Sequence, residues 1–203
     1  HFPCKLLIAT SNWLKMNHSA TANEIIEVTQ EELSRASLQK TPQEVLAVFV
    51  QPSYDLNPEG IKSSLCLALD DVQDPGNLGT IIRLADWFGI EHIFCSTGTA
   101  DVYNPKTVQA TMGALARVKV HYCSLPQLIE SLTDIPVYGT FLNGNIIYTE
   151  SLSAHGLIVM GNEGKGVSLE VEKLINNKLY IPNYPQERET SESLNVAIAT
   201  AVV

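Results

Sequence analysis

The sequence predicts an α/β chain: a parallel sheet covered by helices on both faces, preceded by a small α/β unit. Three observations lead there. Near-continuous apolar runs such as "LCLAL" (65–69) and "GLIVM" (156–160) suit strands buried on both faces rather than a sheet with one wet face. Helix-like stretches separate these runs, as in folds that cross over between parallel strands. A polar stretch with two prolines and a glycine, "QPSYDLNPEGIKSS" (51–64), divides the chain into unequal parts.

The first part, 1–52, reads as strand "KLLIAT", a short polar connection, strand "EIIEVT", helix "QEELSRASL" and strand "EVLAVFV". Residues 53–64 read as a linker. From 65 to 203, apolar β-rich runs recur at "LCLALD", "HIFCS", "VKVHYC", "PVYGTFL", "GLIVMGN" and "KLYIPN". Helices are expected between them, at about 78–88, 105–116, 124–132, 168–176 and 191–203. The chain has neither internal repeats nor low-complexity segments.

At 203 residues, 45% hydrophobic and 17% charged, the chain can bury a sizeable core. No apolar run approaches the roughly 18–20 residues of a membrane span, and "HFPCKLLIATSNW" lacks the basic segment and apolar core of a signal peptide. A soluble, cytoplasmic protein without a membrane partner is expected. The first apolar run begins almost at once and no methionine opens the chain, so a further N-terminal segment is expected upstream. Cysteines at 4, 66, 95 and 123 and histidines at 1, 18, 92, 121 and 155 have no metal-site or redox spacing. No metal is expected, and the thiols should be buried and free. A net charge of −9 speaks against a general nucleic-acid binder, because phosphate contacts require lysine and arginine. A local basic surface, or one built by a dimer, would remove that objection.

Sheets of this kind bind ligands beyond the carboxyl ends of their strands. Three such ends are rich in glycine, asparagine and serine. In "LDDVQDPGNLGTIIRLADWFGI" (69–90), Leu78, Ile81, Ile82, Ala85 and Phe88 form one helical face with Arg83 nearly opposite, and Asn77 follows Pro75-Gly76 where an N-cap belongs. A capped helix with a solvent-facing arginine explains this stretch taken alone. In "GLIVMGNEGKGVS" (156–168), an apolar strand runs into a loop with three glycines around Asn-Glu, a backbone that a ligand can approach closely. It matches neither the phosphate-loop nor the dinucleotide pattern. In "LYIPNYPQERETSESLNVAIATAVV" (179–203), Leu194, Ala197, Ile198, Ala201 and Val202 make a helical stripe, with Thr190 or Ser191 as candidate caps and Ser193 and Asn195 beside the stripe.

The order N-L-G-x-x-x-R, G-N-E-G, S-L-N-V resembles the three motifs of the SpoU (TrmH-like) family of RNA 2′-O-ribose methyltransferases, in the SPOUT superfamily. The resemblance covers about 65–203 and includes "PKTVQATMGALARV" between the first two motifs. Less specifically, the first part resembles the small ribosomal-protein-like RNA-binding domain that precedes the catalytic domain in many members. The resemblance implies a parallel-sheet SPOUT domain with a C-terminal trefoil knot, a homodimer formed through the knot region, S-adenosylmethionine as cofactor and structured RNA as partner. Carried over, Thr140, Phe141, Leu142, Met160, Gly161, Asn162, Glu163, Gly164, Ile181 and Leu194 would hold the cofactor. Asn77, Arg83, Glu163, Ser193 and Asn195 match the catalytic set. One departure stands out: "NYPQERETSE" (183–192) is longer than the family's glycine-containing stretch and has no glycine.

Methyl transfer from a sulfonium to a ribose hydroxyl is an in-line displacement, and holding its atoms in line is worth about 7–11 kcal/mol. The resemblance implies Arg83 as proton acceptor, yet a guanidinium in a protein has almost no neutral fraction near pH 7. We therefore expect Arg83 to anchor an RNA phosphate and stabilise the developing 2′-oxyanion. Glu163 is expected to order the cofactor loop rather than to act as base. The 2′-hydroxyl implies RNA rather than DNA, and the small preceding domain favours ribosomal over transfer RNA. A non-catalytic knotted RNA-binding or ribosome-assembly protein, a SPOUT base-nitrogen methyltransferase and a plain nucleotide-binding α/β enzyme remain as alternatives.

Overall fold

The structure, a computed structural model, describes residues 2–55, 61–185, 188, 189, 191 and 193–203. The chain divides into two units, 1–53 and 54–203. The middle of the expected linker, 56–60, and Thr190, one of the two candidate caps, lie outside the described residues.

In the first unit, β1 (Cys4–Thr10) is central, flanked by β2 (Glu24–Val28) in parallel and β3 (Val45–Phe49) antiparallel. Where the sequence predicts a polar connection after β1, six residues form helix α1 (Ser11–Met16). Its start is fixed by Thr10, whose side chain accepts the Trp13 N–H. Six residues span less than two turns, too short for a periodicity to show. Helix α2 (Gln30–Ala36) opens on a capping box, Thr29 and Glu32 each bonding the other's backbone N–H, and buries Leu33.

The second unit is a six-stranded sheet in the order β6-β5-β4-β8-β7-β9, every pairing parallel. Its strands are β4 (Leu65–Leu69), β5 (His92–Cys95), β6 (Lys119–Tyr122), β7 (Val137–Ile146), β8 (Gly156–Met160) and β9 (Asn177–Tyr180). The central pair, β4 and β8, carries no charged residue, and alternate side chains feed two separate cores. Leu67, Leu69, Ile158 and Met160 pack on one face with α3 (Pro75–Phe88) and, later in the chain, α7 (Val196–Val202). Cys66, Ala68, Leu157 and Val159 pack on the other with α5 (Leu125–Ser131) and α6 (Leu169–Glu172). All four cysteines are free thiols, two of them buried. Among the described residues, no helix is long and apolar enough to cross a membrane.

Several helices differ from their expected extents. The stretch at 105–116 forms α4 (Pro105–Thr111), breaks where Met112 and Gly113 take positive φ (50° and 87°), and resumes as a 3₁₀ turn over Ala114–Ala116. The last helix begins at Val196 rather than 191, and it buries Val196, Ala197 and Ala199. Of the expected stripe only Ala197 is inside; Ile198 and Leu194 are 55% and 50% exposed. Phe88, expected on the buried face of α3, is also exposed, because Gly89 (φ 73°) ends the helix there and turns the chain away.

Two close approaches aim the pieces. A Cβ at Gly79 would lie 2.5 Å from the Ala110 Cβ and 2.7 Å from the Thr107 carbonyl oxygen, so glycine lets α3 and α4 touch. In β7, Thr140 and Asn145 both pair with Leu179, so residues 141–144 are pushed out of the ladder at the strand's carboxyl end.

Away from that end, His92 and His121 stack with Phe94 between β5 and β6, Nδ1 of the first 3.0 Å from Nε2 of the second. Burial, aided by His92 and then Lys119, pushes His121 down to about 4. A depressed histidine pKa means that the unfolded chain binds the proton first. Stability attributable to His121 is therefore full above about pH 6.5 and falls as the pH drops toward 4. His121→Phe should flatten thermal unfolding midpoints over that window, recovering about 1–3 kcal/mol at its acid end; identical slopes for variant and parent would refute this.

Candidate active site

The turn after β4 builds the site's first wall. Asp74, not Asn77, is the N-cap of α3: its Oδ1 accepts the Asn77 N–H at 2.8 Å, and Pro75 occupies the first helical position. The helix thus starts three residues earlier than expected, because proline's fixed φ suits the first turn and an aspartate precedes it. Asn77 falls inside that turn, and its side chain is free to bond elsewhere.

The loop after β8 builds the second wall. Asn162 organises it: its backbone pairs both ways with Gly166 at 2.9 Å, its Oδ1 accepts the N–H groups of Gly164 and Lys165, and its Nδ2 donates to the Asp71 carbonyl at 2.7 Å. A Cβ at Gly161 would sit 2.3 Å from the Gly166 carbonyl carbon, so only glycine closes this hairpin. Asp70, 5% exposed, pins the far end by accepting the Ser168 N–H at 2.7 Å.

These walls meet at Glu163. Its carboxylate accepts the backbone N–H groups of Gln73 and Asp74, both at 3.2 Å, and the Asn77 Nδ2 at 3.1 Å. Asn77 Oδ1 in turn accepts Nδ2 of Asn195 at 3.0 Å, and Asn195 Oδ1 accepts the N–H groups of Ala197 and Ile198. Asn195 is therefore itself the N-cap of α7, in place of the expected Thr190 or Ser191. Desolvation in this junction would raise Glu163, but its bonds from Asn77 and the turn's backbone N–H groups together hold it below its ordinary value.

The five residues matching the catalytic set divide into two groups. Asn77, Glu163 and Asn195 are joined by direct hydrogen bonds. Arg83 and Ser193 are not bonded to them; Arg83 is exposed on α3, with no hydrogen bond or ion pair among the described residues, and Ser193 lines the adjoining cavity. All ten residues expected to hold a cofactor line that one cavity, of about 640 Å³. Its walls are the segment pushed out of β7, the β8 loop, and the chain after β9. It joins apolar surface from Leu142, Met160, Leu194 and Val196 to exposed loop backbone. Among the described residues, no group of three histidine, cysteine or acidic side chains is placed to hold a metal.

Sequence reasoning missed Lys106. Its Nζ donates to Asp74 Oδ2 at 2.9 Å, which draws Asp74 below the usual carboxylate range together with the Asn77 N–H. The signal lay only in the helix-start pattern Asn-Pro-Lys; which neighbour the lysine meets depends on how α4 packs against α3.

Comparison with known proteins agrees with this geometry. The model of the SpoU rRNA Methylase family matches residues 64–203. The 23S rRNA (guanosine(2553)-2'-O)-methyltransferase RlmP of Bacillus subtilis (strain 168) is 35% identical over 179 residues, covering 87% of this chain and 69% of that protein. A solved TrmH-family protein from Porphyromonas gingivalis superposes with a TM-score of 0.85 at 41% identity, over 99% of this chain and 80% of that one. The SpoU methyltransferase AviRb from Streptomyces viridochromogenes, solved in complex with the cofactor AdoMet, gives 0.84 at 26% identity and the same coverages. The chain belongs to the SpoU rRNA methylase family.

Proposed function

We propose that the chain transfers a methyl group from S-adenosylmethionine to a ribose 2′-hydroxyl of structured RNA, with ribosomal RNA as the substrate class. The observation that carries this reading is the junction of Glu163, Asn77 and Asn195 at the mouth of the cavity, with Arg83, on the same helix as Asn77, unpaired among the described residues. The ribosomal preference follows the family's description and the 23S rRNA named for the Bacillus relative.

The cavity suits the cofactor in size and lining. Its volume lies within the usual range for small-molecule sites, roughly 300–1,000 Å³. Apolar side chains suit a flat adenine ring, and loop backbone suits ribose hydroxyls and an amino-acid head. Bound there, the cofactor supplies an electrophilic methyl group on a positively charged sulfur. Gly164 leaves the loop open to it, since only Asn162 Oδ1, 3.7 Å away, would meet a Cβ there.

The chain's own residues then have distinct tasks. The Arg83 fork binds the neighbouring phosphate and stabilises negative charge growing on the 2′-oxygen, while the hydroxyl proton leaves to phosphate or water. Asn77 and Asn195 hold the turn and α7 against each other, which sets where Arg83 projects. Glu163 is held as an anion by its donors and so orders the loop instead of taking the proton. Ser193, on the cavity wall, offers a hydroxyl to the incoming ribose. The first unit is read as an RNA-docking domain, and the chain after β8 as knotted. A homodimer is proposed through the knot region, where Ile198 and Val202 of α7 are exposed.

Incubation with unmodified ribosomal RNA and methyl-labelled S-adenosylmethionine, followed by nucleoside analysis, tests the reading directly. Label on a 2′-O-methyl nucleoside is expected. Label on a base nitrogen would replace the reaction class, and cofactor binding without transfer would leave a non-catalytic RNA-binding protein. Arg83→Lys keeps the charge but loses the fork, and single-turnover transfer should fall by about 10²-fold or more; an unchanged rate would remove the role given to Arg83. Glu163→Gln should weaken cofactor binding about 10–100-fold, since bonds to a charged acceptor are lost. Because the carboxylate is already ionised at neutral pH, the same variant should keep the parent's pH–rate profile between about pH 6 and 9. Loss of a limb of that profile would instead identify Glu163 as the base.

A further inference from the structure

The close contact at Gly79 lays the first turn of α4 beside the first turn of α3. Lys106, near the start of α4, thereby reaches over Gly76: its Cε and Nζ lie 3.5 and 3.7 Å from where a Gly76 Cβ would be. At 100° per residue, Gly76, Thr80 and Arg83 fall within about 60° of one another on α3. Thr80 and Arg83 are exposed, and Thr80 folds its hydroxyl back onto the Gly76 carbonyl at 2.9 Å. Lys106 and Arg83 therefore bracket one open stripe, with no side chain at Gly76 to interrupt it. From Gly76 to Arg83 the helix rises about 10 Å.

Lys106 is bonded to Asp74, but that bond leaves it available. The pair is exposed, with Lys106 at 62% and Asp74 at 45%, and such pairs contribute little to stability. An ammonium has three N–H donors, and one meets Asp74. Asp74 is itself tied to the site, since its backbone N–H goes to Glu163. Lys106 thus stands at the same mouth as the Glu163 and Asn77 junction. A chain of net charge −9 has to draw RNA with cations placed locally.

We propose that Lys106 binds a phosphate of the RNA strand that presents the target ribose, a second anchor beside the phosphate held by Arg83. This assignment rests on the RNA methyltransferase reading above. Lys106 approaches RNA from the N-terminal end of α3 and Arg83 from further along it, so the two cations fix the direction of the strand across the stripe. Phosphate contacts set register without reading sequence. The contact can therefore be measured on any structured RNA, before the target nucleotide is known.

The test is binding of the whole chain to a transcribed, unmodified 23S ribosomal RNA across a potassium chloride series, for the parent, Lys106→Ala and Lys106→Arg. Cofactor affinity and thermal midpoint are measured alongside, to detect damage to the Asp74 cap. The alanine variant is expected to bind RNA several-fold more weakly near 0.1 M salt, with the slope of log affinity against log salt reduced by about 0.7–0.9. The arginine variant should restore both, and cofactor affinity should stay at the parent's value. An alanine variant with the parent's slope overturns the assignment and leaves Lys106 as a neutraliser of Asp74 alone. A slope lowered equally in the alanine and arginine variants overturns it too, because the charge is then not what acts. If the parent itself transfers no methyl group to RNA, the underlying reading fails; parent transfer with an unaltered alanine slope removes only Lys106.

Discussion

One carboxylate holds the site together. Glu163, at the tip of the β8 loop, accepts two backbone N–H groups and one side-chain amide from the turn 73–77, a segment 86 residues away from it at Asn77. Hydrogen bonds to an ionised acceptor are about twice as strong as neutral ones, and here three converge on a single group. The amides are constrained in sequence by this. Asn77 must turn its nitrogen to Glu163, which leaves its oxygen for Asn195; Asn195 must then offer its nitrogen, which leaves its oxygen for the first N–H groups of α7. An aspartate at 77 would set carboxylate against carboxylate, and one at 195 would have no donor for Asn77. The residue types follow from the direction of the chain of bonds.

The sheet makes that meeting possible. Parallel strands bring the ends of β4, β8, β7 and β9 to one edge, and the central strands are buried on both sides, so the edge is rigid while its loops vary. Each loop then leaves the sheet by its own device. The β4 turn carries Asp71 at φ 58°, the β8 loop closes on glycines, and β7 pushes four residues outward between two pairings with Leu179. The cavity lies among these departures, as expected for ligand sites beyond the carboxyl ends of strands.

The strands were legible in the sequence because burial on both faces leaves a plain signal: "LCLAL" and "GLIVM" admit few other readings. Helix ends were less so. In the sequence Asn77 looks like the cap because it follows Pro-Gly, whereas Pro75 begins the helix and Asp74 caps it. The sequence sets Leu194, Ala197, Ile198, Ala201 and Val202 on one helical stripe, and in this single chain all of it but Ala197 looks outward. Periodicity shows that a helix has an apolar side, not what covers it. The same limit hid Lys106, whose neighbour is chosen by the glycine contact between α3 and α4 rather than by anything adjacent in sequence. The order of the three motifs, by contrast, was visible, and Asn77, Glu163 and Asn195 are bonded as one group.

The chain's acidity looks at first like an argument against RNA, and the site shows why net charge misleads. Its carboxylates are engaged as acceptors: buried Asp70 by the Ser168 N–H, half-exposed Asp74 by the Asn77 N–H and Lys106, and exposed Glu163 by three donors. Negative charge arranged this way is met by aligned N–H dipoles and one ammonium, so it contributes less field outside than a free carboxylate would. Arg83 is the opposite case, a cation with no partner among the described residues, set on an exposed face. Charges farther from this mouth than about a Debye length of 8–10 Å are largely screened, so the cations beside it, Arg83 and Lys106, weigh more on an approaching phosphate than the −9 of the whole chain.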